Sequence, residues 1–189
     1  MVDATRDTDE TLMQRFQDGD AAAFERLYAR HRGPLFRYFK RQCETAAAEE
    51  LYQDVWMRIV RAKESYTPEA KFTTYLYRIA HNRLVDHYRA NARRAEVSLQ
   101  AEEEDSNFEP AEASIREPDA TAARQEQVAA FAAALEELPA EQREAFLLRE
   151  EGGLSLDDIA AATEVGRETA KSRLRYAVAR LRKTLETFR

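Results

Sequence analysis

The side chains best able to do chemistry are cations, and they fall in two groups. In the C-terminal group Lys171, Ser172 and Arg175 share one side of a helical pattern, Arg173 lies on another, and Arg167 and Glu168 stand at its start. Between Val165 and Arg189 eight Lys/Arg meet only Glu168 and Glu186, although the whole chain carries a net −6. Screening over about 8–10 Å makes a polyanion respond to this local balance more than to distant charge. In the other group, six Lys/Arg and a single acid, Asp86, lie between Lys71 and Arg94. Tyr66, Phe72, Tyr75, Tyr77 and Tyr88 are interleaved with those charges. Cations that follow a backbone, with aromatic planes for bases, suit single-stranded nucleic acid. Each base stacked on such a ring contributes ~1–3 kcal/mol, comparable with the few kcal/mol needed to unpair a base step. The competing reading is a set of core tyrosines beneath a solvated arginine face.

Other chemistry is poorly served. Five glycines (Gly19, Gly33, Gly152, Gly153, Gly166) form no phosphate-cradling loop, so no nucleotide cofactor is expected. His31, His81 and His87 lack metal-ligand spacing, and no cofactor or metal is expected of the Glu49–Glu50–Asp54 carboxylates. Cys43, the only cysteine, can make no internal disulfide and reads as a small buried hydrophobe in an intracellular protein. The acidic N-terminus is unlike a secretory signal, and the run from Val128 to Leu135 is too short to span a bilayer. A cytoplasmic, non-enzymatic protein is expected.

The elements that must carry these groups are helices. Scarce Gly and Pro, abundant Ala, Leu, Glu and Arg, and no sustained alternation predict an all-α chain. Leu12, Phe16, Phe24, Leu27, Tyr28, Leu35, Tyr38 and Phe39 mark short amphipathic helices. Asp20 caps the second, and Gly33-Pro34 is expected to break it from a third. A helix from Thr45 or Ala46 carries Leu51, Val55 and Ile59, with Tyr52 and Trp56 on an adjacent stripe. Pro68 disfavours helix at Thr67, so the next helix starts at Lys71 or Phe72 and runs to about Arg93. On it Phe72, Tyr75, Leu76, Ile79 and Ala80 point inward, while Arg78, Asn82, Val85 and Arg89 form a mostly polar stripe.

The stretch 96–120 changes character, with one Arg against nine Asp/Glu and two prolines. Such a segment cannot bury enough apolar surface to order itself and reads as an acidic flexible linker. Helices are expected again from Thr121 to Leu138, with Val128, Phe131 and Leu135 aligned, and from Pro139 to Gly152-Gly153. Ser155 and Asp158 form a capping-box-like start for a short helix, Glu164-Val165-Gly166 a turn, and Arg167 opens a longer helix. Its apolar stripe is Ala170, Leu174, Ala177, Val178 and Leu181. This is a helix-turn-helix pattern, whose second helix would enter the major groove. A helical hairpin with a solvated charged face is the alternative.

In this order the motifs resemble a sigma factor of bacterial RNA polymerase, of the extracytoplasmic-function group in the sigma-70 family. Ala48–Trp56 resembles region 2.2, Lys71–Asn82 regions 2.3 and 2.4, and Leu138–Phe146 with Thr169–Leu174 region 4. The resemblance implies two small helical domains, region 2 over 8–95 and region 4 over 121–187. It implies that Glu50, Gln53 and Asp54 dock on the polymerase β′ clamp helices. Tyr66, Lys71, Phe72, Tyr75, Arg78, Asn82 and Arg89 would serve the melted −10 strand. Arg167, Glu168, Lys171, Ser172, Arg173 and Arg175 would serve the −35 duplex, with earlier region 4 helices on the β flap. The implied partners are core RNA polymerase, promoter DNA and an anti-sigma factor. The linker would thread the polymerase cleft as a polyanion mimic, or act as a plain tether. Two departures stand out: Glu164 where the family turn has Gly, and Ala170 where a larger β-branched residue is usual. The rival readings are an ordinary helix-turn-helix regulator and a sigma mimic that sequesters an anti-sigma factor.

Overall fold

The computed structural model describes residues 7–99 and 122–186, and among these every regular element is helical. Most of the predicted linker lies outside the described residues. Four helices precede it: α1 (Asp9–Gln17), α2 (Ala21–Lys40), α3 (Thr45–Arg61) and α4 (Phe72–Leu99). Four follow: α5 (Ala122–Glu136), α6 (Ala140–Glu150), α7 (Leu156–Ala162) and α8 (Arg167–Glu186).

Local chemistry accounts for most boundaries. Thr8 caps α1 by accepting from the Thr11 N–H at 3.2 Å, and Asp20 caps α2 by accepting from Ala23 at 3.2 Å. Pro34, however, does not end α2, which runs unbroken through Gly33-Pro34 to Lys40. A mid-helix proline costs roughly 3 kcal/mol. Leu27 before it, and Leu35, Tyr38 and Phe39 after it, are all fully buried, and burying each large side chain contributes about 1.5–3 kcal/mol. Packing therefore outweighs the break. The helix predicted to stop near Arg93 continues to Leu99, because Ala95-Glu96-Val97-Ser98-Leu99 holds no glycine or proline to stop it.

Around the first core, α1 packs on α2, α2 on α3, and α3 on α4. Trp56 is held by Tyr28 at 4.9 Å and Phe24 at 5.9 Å between ring centroids, both edge-on. In the second half α8 lies across α5, α6 and α7. Ala170, Ala177 and Leu181 are buried there; Leu174 is half-buried, while Val178 and Val128 are exposed rather than inward. Ser155 and Asp158 make a complete capping box: the Ser155 hydroxyl accepts from the Asp158 N–H and the Asp158 carboxylate from the Ser155 N–H, each at 3.2 Å.

Glu164 has φ 55°, the left-handed conformation that glycine adopts without strain. Glu164→Gly is expected to stabilise the chain by about 0.5–1 kcal/mol, since relief of strain exceeds the added chain entropy. Chemical denaturation checks this, and a lowered midpoint would show the turn to be unstrained.

The two halves are packed against each other. The ring of Tyr38 (α2) is fully buried, T-shaped against Tyr77 (α4) at 5.4 Å, and its hydroxyl donates to Glu144 Oε1 (α6) at 2.6 Å. The same oxygen lies 2.8 Å from His81 Nδ1 on α4. Gly152 sits so close that a Cβ would stand 2.8 Å from Tyr77 Cε2 and 2.7 Å from Leu148 O. At the rim Arg37 meets Glu151 at 2.7 Å.

Candidate nucleic-acid interface

Helix α8 turns a charged face outward. Arg167, Glu168, Lys171 and Arg175 are exposed, whereas Ser172 and Arg173 are half-buried beside the apolar stripe. The side chain of Arg167 bonds Asp157 at 2.7 Å, and Lys171 reaches Glu168 at 3.4 Å. Arg175 instead lies over the Tyr176 ring, 4.9 Å from its centroid. Exposed pairs of this kind contribute about 0–1 kcal/mol, so a phosphate can displace either carboxylate at little cost. Helix α8 thus lays 20 residues across three supporting helices, with Arg167, Lys171 and Arg175 turned to solvent.

The second candidate face lies on α4 and the loop before it. Thr67, Pro68, Glu69, Ala70 and Lys71 are exposed, as are Arg78, Asn82 and Arg89, while Val85 is half-buried. The polar stripe therefore stands on the surface as expected. The aromatic planes do not. Tyr66 is 6% exposed and Phe72 fully buried, with the Tyr66 ring 6.4 Å from Phe72 and 5.2 Å from Tyr75. Tyr77 is buried against Tyr38, so only Tyr75 and Tyr88, both half-buried, keep part of a ring near solvent. Burial pushes Tyr66 up to about 12, and no hydrogen bond reaches its hydroxyl. Interleaved aromatics at helical spacing thus serve as core under a cationic surface.

In this arrangement the loop is engaged by α7. Lys71 Nζ lies 2.8 Å from Asp158 Oδ2, and Thr74 Oγ1 donates to Asp158 Oδ1 at 3.0 Å. Burial pushes the Asp158 carboxyl up, but hydrogen bonds from Lys71, Ser155 and Thr74 outweigh it and hold the group well below the usual carboxylate range. Spacing along one helix could not have paired Lys71 with Asp158, because the contact joins the two halves.

The third set lies on α3. Glu50 and Gln53 are exposed, on the same outer face as Met57, which is 49% exposed. Asp54 is half-buried and accepts from Arg83 Nη2 at 2.5 Å, so it also ties α3 to α4. A fourth feature went unread in the sequence: a shallow groove of about 540 Å³ lined by Phe131, Phe146, Val178 and Leu181 between α5, α6 and α8. Burial pushes the half-buried Cys43 thiol up to about 11, with Glu44 adding to the rise, and its Sγ contacts Phe39 O, which suits a packing role. Among the described residues no group of His, Cys, Asp or Glu is placed to hold a metal, and no helix is long and apolar enough to cross a membrane.

Two family models match the chain, Sigma-70 region 2 over residues 27–94 and Sigma-70, region 4 over residues 129–181. The RNA polymerase sigma-H factor of Pseudomonas aeruginosa is 31% identical over 185 residues, 96% of each chain. The ECF RNA polymerase sigma-E factor of Escherichia coli K12 is 31% identical over 169 residues, 88% of each. Among solved structures, the sigma factor RpoE in complex with the anti-sigma factor NepR, from Bartonella quintana, superposes with a TM-score of 0.68. It is 25% identical, over 88% of this chain and 98% of that one. CnrH in complex with the cytosolic domain of CnrY gives 0.67 at 24% identity, over 96% and 99%, and shares the fold. The chain belongs to the sigma-70 family of RNA polymerase sigma factors, in its extracytoplasmic-function group. Its class is that of transcription initiation factors, not enzymes.

Proposed function

We propose that this chain acts in the cytoplasm by binding core RNA polymerase and directing it to promoters. Helix α8 reads the −35 duplex, and the loop 66–71 with α4 captures the melted −10 strand. The observation that carries this reading is the presence, in one chain, of two separate cationic surfaces on differently shaped supports. One is the outward face of a helix-turn-helix; the other is the row Arg78, Asn82 and Arg89 beside an exposed loop. A plain helix-turn-helix regulator would have no use for the second, and a mimic that only sequesters an anti-sigma factor would need neither. Glu50, Gln53 and Asp54 fit the rim of a polymerase interface around exposed Met57, and the Phe131–Phe146 groove fits an apolar segment of the β flap.

The packed arrangement is read as a closed form, since Lys71 is held by Asp158 and α7 stands against Thr74 in the first turn of α4. Promoter capture requires the halves to part. Core polymerase would draw them apart by binding each separately, and an anti-sigma partner would hold them closed. Two similar solved structures were determined as complexes, RpoE with the anti-sigma factor NepR and CnrH with the cytosolic domain of CnrY.

The test is to add the purified chain to sigma-free core polymerase with a promoter library and sequence the initiated transcripts. Specific start sites should appear. Transcripts indistinguishable from those of core alone would refute the reading. Within that assay Arg175→Ala is expected to weaken −35-dependent binding and to lower the slope of log affinity against log salt by about 1. An unchanged slope would remove Arg175 from the phosphate contacts.

A further inference from the structure

Helix α1 lies outside the segment matched by the region 2 model, which starts at residue 27. Its apolar side is ordinary, with Leu12 and Met13 fully buried. Its polar side is not. Glu10 Oε1 accepts from the Phe72 N–H at 2.7 Å, the first amide of α4, and Gln17 Nε2 donates to the Tyr66 carbonyl at 2.9 Å. Between these two backbone points hang Thr67, Pro68, Glu69, Ala70 and Lys71, all exposed. Both ends of the loop are therefore gripped by one nine-residue helix.

The spacing makes the grip rigid. Glu10 and Gln17 are seven residues apart, two turns along one face and about 10.5 Å at the helical rise. The helix is itself pinned to α2, where Asp9 meets Arg30 at 2.7 Å and His31 at 2.6 Å. At the start of α4 the preceding residue is Lys71, which has no side-chain acceptor for an orphan amide. The Glu10 carboxylate supplies that acceptor from 62 positions away, with its charge at the positive end of the helix.

We infer that Glu10 and Gln17 are positioning residues for strand capture: they hold the loop 66–71 in the one shape that receives the −10 strand. This rests on the −10 role proposed above for that loop.

The experiment uses reconstituted polymerase carrying the chain, and a single-stranded oligonucleotide with the −10 sequence returned by the promoter library. Glu10→Leu and Gln17→Leu should each weaken oligonucleotide capture about tenfold, the scale of one lost part-buried hydrogen bond, and broaden its base preference. Glu10→Gln, which keeps an acceptor oxygen, should restore capture to within about threefold. Core affinity should match wild type in all three. Lys71→Ala serves as the loop control. Capture and base preference unchanged in both leucine variants, with Lys71→Ala altering them, would overturn the positioning role and leave the loop's role standing. Lys71→Ala without effect, with transcription intact, would remove the −10 role and the inference with it. Loss of capture that merely tracks a fall in thermal stability and core affinity, without rescue by Glu10→Gln, would also overturn it.

Discussion

Glu144→Ala is expected to open the molecule. In the closed arrangement that carboxylate is 6% exposed and serves both the Tyr38 hydroxyl and His81. Its removal takes the acceptor from the buried Tyr38 hydroxyl, at about 1–3 kcal/mol, and from half-buried His81, at about 1 kcal/mol. The cost falls on the closed form alone, because both groups face water once α6 leaves α2 and α4. Docking of the halves should weaken by about 2–4 kcal/mol, on the order of 30- to 1,000-fold. Small-angle scattering should show a larger radius of gyration, and a fluorophore pair on α3 and α8 should report lower transfer efficiency. Assembly with core polymerase should quicken. Scattering curves that overlay wild type would mean that Glu144 does not hold the halves together.

Phe72→Ala is the other large effect, and it decides between the two readings of the aromatic stripe. The ring is fully buried among His31, Tyr66 and Tyr75, so truncation should cost about 3–5 kcal/mol and more than ten degrees of melting temperature. Phe72→Leu keeps most of the apolar volume and should cost on the order of 1–2 kcal/mol. If the ring is core, the leucine variant retains −10 preference. A well-folded Phe72→Leu chain that has lost strand capture would show that the ring leaves the core to meet a base.

Phe72 also marks where sequence reasoning reaches its limit. Residue type and spacing were enough to find the helix-turn-helix, the Ser155–Asp158 box, the Asp20 cap and the start of α4, since each is written in three or four neighbouring positions. Glu164 was visible as an oddity, and its positive φ explains why glycine suits that turn. Whether an aromatic on a helix faces base or core depends on what lies across from it. For the Phe72 ring that includes His31 on α2, some forty residues earlier. Pro34 was misleading for a related reason: a local break signal lost to apolar contacts made on both sides of it. The Tyr38–Tyr77–His81–Glu144 contact was illegible because each member is ordinary within its own helix. Of the candidate interface, the exposed cations could be read directly; the residues that place them could not.

The pairing of surface cations with the chain's own carboxylates carries a consequence for ion stoichiometry. Arg167 has Asp157 and Lys171 has Glu168. When phosphates take over these cations, the orphaned carboxylates stay nearby and attract sodium or potassium back from solution. That uptake offsets the cations shed by DNA, about 0.9 per phosphate neutralised. Promoter affinity should then depend on salt less steeply than the number of basic side chains at the interface implies. Arg175, whose neighbour is the Tyr176 ring, should count nearly in full.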